Sequence, residues 1–296
     1  MNSLNNSDTI LVAGATGFLG SEICRQLREN NKNVKGLVRA TSDKDKVTRL
    51  RESGVEIVEG DLKNMASLEN AMRGVTSVIS TVSSTLSRQE GDSIQTVDDE
   101  GQNNLIAAAA AGGVSKFVYI SFCSMEGNFP LQTAKRAAEK HLAESGLNYT
   151  ILQPTYFMDV WLSPALGFDS HNGKATIYGS GKNRVSWIAI KDVASFAVAS
   201  LAYPEAKNKI IELGGPEALS SLEVVSIFEA ITGKKFELQF VPEETLKAQK
   251  DSVKDPLSES FAALMLGVAN GSEIDMKNTA NDFSIHQTSV IDYAKR

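Results

Sequence analysis

Hydrophobic and polar positions alternate between two periods along the first half of the chain. Residues 9–13 form a short, β-rich apolar run that ends at a glycine, the pattern of a strand buried on both faces. Residues 18–30 then carry Leu19, Ile23 and Leu27 at helical spacing. By the same reading, strands are expected at 33–38, 55–58, 77–82, 116–120 and 149–152. Helices are expected between them at 43–53, 66–72, 97–111 and 133–145. The 97–111 helix is rich in alanine and stops at Gly112-Gly113, and the strand at 149–152 is closed by Pro154. A β-α series of this kind builds a parallel sheet with helices on both faces.

After Pro154 the rhythm changes. Residues 155–184 are rich in Gly, Ser, Pro and aromatics, which predicts loops around one short strand at 175–178. Helices are expected at 191–201 and 221–232, strands at 209–213 and 236–241, and a charged helical stretch at 243–251. There is no internal repeat and no evident linker. The fold class is α/β: a Rossmann-type doubly wound parallel sheet over residues 1–155, completed by later segments, with a smaller C-terminal α/β substrate-binding region over 156–296. Residues 83–93 are expected to be a mobile loop.

Composition narrows the partners. The 296 residues carry 30 Lys+Arg against 36 Asp+Glu, a net charge of -6, with 42% hydrophobic and 22% charged residues. That is the balance of a globular protein with a sizeable core, and it argues against nucleic acid, whose partners show a basic face. No window reaches the ~18 consecutive apolar residues of a membrane span, and the polar start has no secretory pattern, so a cytoplasmic location is expected. Cys24 and Cys123 cannot form a disulfide framework. His141, His171 and His286 show no metal spacing, so no metal site is expected.

The chemistry begins at Gly14-Ala15-Thr16-Gly17-Phe18-Leu19-Gly20, which leaves a strand and opens a helix. In that context Gly14 permits the tight turn, Gly17 lets backbone amides approach a pyrophosphate, and Gly20 allows close helix–sheet packing. Phosphates would sit at the positive helix end, so Gly14, Thr16, Gly17, Phe18 and Leu19 are assigned to a dinucleotide. At the end of the second strand an NAD site usually presents a carboxylate; here Val38 is followed by Arg39. A guanidinium suits a 2′-phosphate, so NADP (NADPH) is expected, with Lys44 or Lys46 as a second charge. Asp61 ends the third strand where an adenine would lie, with Leu62 as an apolar wall, and Thr81 and Val82 end the fourth.

Together with 135–140 (Lys-Arg-Ala-Ala-Glu-Lys) and the run from Ser145 to Pro154, these motifs resemble the NmrA-like branch of the atypical short-chain dehydrogenase/reductases. The resemblance covers roughly residues 9–240. That branch contains isoflavone-reductase-like enzymes, quinone and triphenylmethane-dye reductases, and redox sensors that bind NADP without turnover. It implies that Lys135 is the active-site lysine. The wider superfamily has a catalytic tyrosine four positions earlier, where this chain has Leu131, so ordinary alcohol–ketone interconversion is not expected.

The resemblance also implies that residues 121–124 lie where the superfamily carries its carbonyl-polarising hydroxyl. Ser121 and Ser124 are the candidates, and Phe122 would line the nicotinamide side; Cys123 reads as a packing residue. Residues 154–158 match a segment beneath the nicotinamide, which assigns Pro154, Tyr156 and Phe157, with Tyr156 a candidate replacement for the missing phenol. Phe157, Met158, Trp161 and Phe168 fit either a substrate wall or core. Asp192 reads as a helix-start residue and Lys140 as a surface group. The implied activity is an NADPH-dependent reductase acting on a small apolar or aromatic electrophile such as a quinone, enone, imine or conjugated carbonyl. The alternatives are a non-catalytic NADP(H) sensor and a dehydratase or isomerase. The expected partner is a small-molecule substrate, with no nucleic acid and no membrane, and the chain is expected to be a monomer or homodimer.

Overall fold

The computed structural model describes residues 8–86 and 89–296. In chain order the elements are β1 (Thr9–Ala13), α1 (Phe18–Glu29), β2 (Asn33–Val38), α2 (Lys44–Glu52), β3 (Glu56–Glu59), α3 (Met65–Ala71), β4 (Ser77–Ser80), a π-helical turn (Ile94–Asp99), α4 (Glu100–Ala111), β5 (Lys116–Ile120), α5 (Pro130–Glu144) and β6 (Tyr149–Pro154). There follow α6 (Met158–Trp161), β7 (Phe168–Asp169), β8 (Lys174–Tyr178), β9 (Arg184–Val185), α7 (Ile190–Ser200), β10 (Lys209–Leu213), β11 (Leu219–Ser220), α8 (Ser221–Thr232), β12 (Glu237–Val241), α9 (Glu243–Ser252), α10 (Pro256–Asn270), α11 (Lys277–Phe283) and α12 (Val290–Ala294).

The apolar runs pair as their composition requires. Seven strands form one sheet in the order β10-β6-β5-β4-β1-β2-β3, and β1 to β6 pair in parallel. Residues 10–13 are fully buried, as expected of a strand covered on both faces. The strand order reverses at β1, which has β2 on one side and β4 on the other. In open α/β sheets, ligands bind at the carboxyl ends of the strands flanking such a switch point.

The described residues form two compact units. The first takes residues up to 122, 131–153 and 194–211; the second takes 123–130, 154–193 and 212–296. This division differs from a single cut at residue 155 because 123–130 and 194–211 each make their contacts within the other unit. The first unit's core includes Leu11, Val78, Leu105, Phe117, Leu142 and Ile151. The second unit holds a three-stranded sheet (β12-β8-β7) and an antiparallel β9–β11 pair, with Met158, Phe168, Ile177, Trp187, Phe228 and Val268 in its core.

Three departures from the sequence reading have local causes. The predicted 97–111 helix starts as the π-helical turn, opened by a capping box in which the Ser93 and Thr96 side chains and backbone amides satisfy each other. The helix predicted at 133–145 begins three residues earlier, because Pro130 suits a first helical turn, where no amide donor is needed. Beyond residue 251 the pattern predicted nothing, yet α10 forms. Its apolar residues surround the axis and blur the period, although the Asp255 carboxylate accepting from the Ser258 amide (2.8 Å) and Pro256 at the first position are start signals. Among the described residues, no helix is long and apolar enough to cross a membrane.

Burial of Cys24 in α1 gives the first expected result. Desolvation pushes its thiol up from the ordinary 9.0 to about 12. A group whose folded-state value is raised stabilises the fold fully below its unfolded value and loses that contribution as pH rises towards the folded one. The melting temperature is therefore expected to fall as pH is raised from 8 to 11, less steeply in Cys24→Ala, and Cys24 is expected to react with thiol reagents only after unfolding. A thermal-melt series across that range, with thiol titration, checks both.

Candidate dinucleotide and catalytic site

In the first unit the glycine turn makes a cradle that side chains would fill. Gly14 has φ +83°, and a Cβ there would meet Thr81 Oγ1 at 2.5 Å. A Cβ on Gly20 would fall inside the contact radius of the Gly14 carbonyl oxygen, so α1 can approach the turn only as glycine. Gly17 starts α1 without a side-chain cap, and its amide donates to the Gly14 carbonyl at 2.9 Å. A twelve-residue helix with no cap and no acid in its first turn leaves N–H donors and a positive dipole end for an anion. Thr16 is half-buried and Phe18 is 68% exposed with the Lys46 ammonium 5.8 Å from its ring, whereas Leu19 is buried in the core. Leu19 therefore supports the turn from inside. The Thr81 amide and hydroxyl both donate to the Ala13 carbonyl, at 3.0 and 3.1 Å, which ties β4 to β1 at the switch point.

The ends of β2 and β3 carry an alternating row of charges. Arg39 donates through Nη1 to Asp92 Oδ2 at 2.6 Å, and Lys63 donates to Asp92 Oδ1 at 2.7 Å. Asp92 Oδ2 also accepts from the Gln89 amide at 3.1 Å, and the carboxylate is 1% exposed. Burial works against its charge, but the Lys63 and Arg39 hydrogen bonds outweigh that and hold the carboxyl below the usual range. Gln89 hydrogen-bonds the Thr41 hydroxyl and donates to its carbonyl at 3.1 Å. Of the loop expected to be mobile, Ser87 and Arg88 lie outside the described residues, and residues 89–92 are tied to the β2 end. Asp61, assigned to adenine, accepts from the Lys63 amide at 2.8 Å and lies 3.9 Å from its ammonium. Leu62 is packed into the core, and its carbonyl accepts from Asn104 at 2.9 Å.

Lys135 lies on the inward face of α5, with Leu131, Ala138 and Leu142 buried on the same face. Its ammonium donates to the Val82 carbonyl at 3.1 Å, pairs with Asp98 Oδ1 at 3.3 Å and sits 5.2 Å from the centre of the Tyr119 ring. Side-chain exposure is 5% for Lys135 and 0% for Asp98. Asp98 Oδ2 accepts from the Ser84 amide (2.9 Å) and hydroxyl (2.6 Å). Tyr119 is fully buried beneath this pair, and desolvation, reinforced by Asp98, raises its phenol well above the ordinary value. The Ser80 hydroxyl donates to Gln102 Oε1 at 2.8 Å on the same inward side of α4. A buried lysine positioned by a carboxylate, a carbonyl and an aromatic face can bind a hydroxyl or exchange a proton in a defined direction.

The Ser121 hydroxyl, a candidate polarising group, accepts from Arg136 Nη1 at 3.3 Å; Arg136 Nη2 donates to the Phe122 carbonyl at 2.7 Å and its guanidinium stacks 5.4 Å from the Phe122 ring. Arg136 also pairs with Glu139, which accepts from Gln153 at 2.9 and 3.0 Å. Ser121 and Phe122 are thus anchored by α5. Lys140 is on the surface, paired with Glu144, in keeping with its pattern.

The remaining assigned residues belong to the second unit. Ser124 is exposed, and the buried Pro154 uses its carbonyl to accept from the Cys123 amide at 3.0 Å. Tyr156 is 5% exposed, edge-on to Trp161 at 5.1 Å, with its hydroxyl 3.7 Å from Met125 Sδ and flush against Gly267. Burial raises its phenol well above the ordinary value. Phe157 is half-buried and bridges to Ile188, while Met158 and Phe168 are core residues. Cys123 is buried with its sulfur 3.7 Å from the Ser272 hydroxyl. Asp192 is a buried tether that accepts from the Thr288 amide (2.7 Å) and hydroxyl (3.0 Å). His171 is exposed, and its carbonyl accepts from Lys234. Among the described residues no His/Cys/Asp/Glu grouping suits a metal ion.

Asp92 and Asp98 escaped the sequence reading. Asp98 had a signal: with Gln102, Leu105 and Ala109 it forms one inward stripe, so a carboxylate points where only apolar groups are expected. Asp92 had none, because its partners are 29 and 53 positions away.

The family profile described as "NmrA-like family" matches residues 6–286. An NAD(P)H azoreductase of Xenophilus azovorans is 31% identical over 263 residues, 86% of this chain and 86% of that protein. A photosystem II assembly factor, Ycf39, of Synechocystis is 31% identical over 245 residues, 80% of this chain and 72% of that one. Among solved structures, an NADPH-dependent quinone oxidoreductase of Escherichia coli superimposes with a TM-score of 0.77 at 23% identity, covering 96% of this chain and 98% of the other.

Proposed function

The chain belongs to the NmrA-like family, and from that membership we propose that it is an NADPH-dependent reductase that passes hydride to a small apolar or aromatic electrophile. The observation that carries this reading is the pairing, on one sheet edge, of the uncapped glycine turn with a buried Lys135 held 3.1 Å from the Val82 carbonyl. The first suits a dinucleotide pyrophosphate; the second suits the reacting end of the same nucleotide. A relative named as an NAD(P)H azoreductase supports the reaction class.

The residues present fit the nucleotide, because the space kept by Gly14, Gly17 and Gly20 is one a Cβ would fill. When bound, NADPH supplies the hydride; the protein supplies position and a proton path. The Phe18 and Leu19 amides, in the uncapped first turn, and the α1 dipole would hold the pyrophosphate. Arg39 would take the 2′-phosphate, and Asp61 would take the adenine amino group. Val82 takes one of the three Lys135 ammonium donors while Asp98 faces the ammonium as an ion pair at 3.3 Å, and a remaining donor would serve a ribose hydroxyl or the acceptor's incoming proton. Tyr156 serves as packing for its own unit and not as the acid, since its hydroxyl is enclosed by Met125 and Gly267.

Fluorescence titration with NADPH, followed by NADPH consumption over quinones, enones, imines and azo dyes, tests the reading. Turnover with at least one class is expected, and Tyr156→Phe is expected to keep kcat within about twofold of the parent. A loss of roughly 100-fold or more, the scale of a missing general acid, would return Tyr156 to the chemistry. A second reading, a nucleotide-binding regulator without turnover, is favoured by Leu131 at the superfamily's tyrosine position and by the relative named as an assembly factor. Tight binding with no turnover across the panel would select it.

A further inference from the structure

We propose that Asp92 is a specificity-determining residue of the nucleotide site: its carboxylate holds the Arg39 and Lys63 cations where a 2′-phosphate would engage them, and so weakens the preference for the phosphorylated dinucleotide. The inference rests on the assignment of a dinucleotide to the glycine turn.

The charge count is local. Arg39 and Lys63 bring two positive charges to the ends of β2 and β3, and Asp92 and Asp61 bring two negative ones. Asp92 takes a direct hydrogen bond from each cation, at 2.6 and 2.7 Å, and a third from the Gln89 amide at 3.1 Å. Its side chain is 1% exposed, against 24% for Arg39 and 32% for Lys63, so water screens this pairing little. A 2′-phosphate carries about -1.5 to -2 charges and seeks the same guanidinium. It arrives either beside a buried carboxylate, with like-charge repulsion, or after displacing Asp92 from three donors. Each route costs affinity that a dinucleotide with a 2′-hydroxyl does not lose. An unopposed Arg–Lys pair making two charge-assisted bonds would favour the phosphate by about 100-fold or more.

The device also has a covering part. Gln89 hydrogen-bonds both the hydroxyl and the carbonyl of Thr41, two residues past Arg39, so Gln89 and Asp92 fasten the β2 end together. Glu52, Asp43 and Asp45 belong to or flank α2, and Asp92 is the acid that accepts from Arg39 Nη1 at 2.6 Å.

The test uses the full chain and four probes: NADPH, NADH, 2′,5′-ADP and 5′-ADP, titrated by fluorescence or calorimetry. In the parent protein NADPH is expected to bind less than about tenfold more tightly than NADH. In Asp92→Asn, which keeps the side-chain shape and removes its charge, the preference is expected to rise at least tenfold, with NADH affinity within threefold of the parent. The ADP pair is expected to show the same shift, because the effect concerns only the 2′ substituent. Asp92→Glu, which keeps the charge, is expected to stay within threefold of the parent preference.

An unchanged or reduced preference in Asp92→Asn would overturn the inference and leave Asp92 as a scaffold that presents Arg39. If that variant did not fold, the parent ratio decides: a preference above about 100-fold would sink the idea, and one below tenfold would support it. Failure of the parent to bind either dinucleotide would remove the reductase reading as well, whereas turnover with unaltered selectivity would remove only the role of Asp92.

Discussion

Lys135→Met is expected to abolish NADPH-dependent turnover and to lower folding stability by about 3–5 kcal/mol, the usual cost of removing one partner from a buried ion pair. The stability loss arises at Asp98, whose side chain is fully buried and whose Oδ1 faces the ammonium at 3.3 Å. Methionine fills most of the lysine volume and leaves that carboxylate without its counter-charge. Adding Asp98→Asn is expected to restore most of the stability, because the amide oxygen can still accept from the Ser84 amide and hydroxyl while the uncompensated charge is gone. Activity is not expected to return, since no ammonium remains. Denaturant midpoints for the single and double variants, beside consumption assays, separate the two roles. If the double variant were no more stable than Lys135→Met, the pair would not be the stabilising unit that its burial indicates.

Gly20→Ala is expected to have the second large effect. The new methyl would meet the Gly14 carbonyl oxygen and carbon and the Ala15 Cα, all backbone atoms that cannot swing away. Relief requires α1 to move off the turn, at about 1–3 kcal/mol for an overpacked site. The nucleotide is expected to suffer more than the fold, because the first-turn amides of Phe18 and Leu19 move with α1. An NADPH affinity loss of ~100-fold, about 2.8 kcal/mol, is expected by titration. Ser220→Ala is the matched control: it breaks the capping box in which the Ser220 hydroxyl accepts from the Glu223 amide at 3.2 Å and Glu223 accepts from the Ser220 amide at 2.8 Å. It is expected to cost about 1 kcal/mol and to leave nucleotide affinity unchanged. Equal nucleotide binding by Gly20→Ala and the parent would remove the glycine turn from the site.

Much of the fold was legible because its signals are local. β1, β2, β5, β10 and α8 appear with the predicted boundaries, and the other predicted elements shift by one to three residues. Short apolar runs need burial on both faces, and helical runs need one buried stripe, so each segment states its own environment. The last 45 residues were not legible: α10 is apolar around its whole circumference, and α11 and α12 span only seven and five residues. The turn from Gly14 to Gly20 and the inward Lys135 were also readable, each from residue type at a fixed spacing.

What the sequence determined by itself is therefore the set of parts: a parallel α/β sheet, a glycine cradle for a phosphate, a lysine on an inward helix face and a cation at the end of β2. Only the tertiary structure decided how their charges are shared. Arg39 meets a carboxylate 53 positions away, and Lys135 meets one 37 positions before it. Periodicity records which side of an element is buried, because burial acts on each residue in turn. Ion pairing depends on distance in space, which sequence spacing does not encode once the chain crosses from one strand to another.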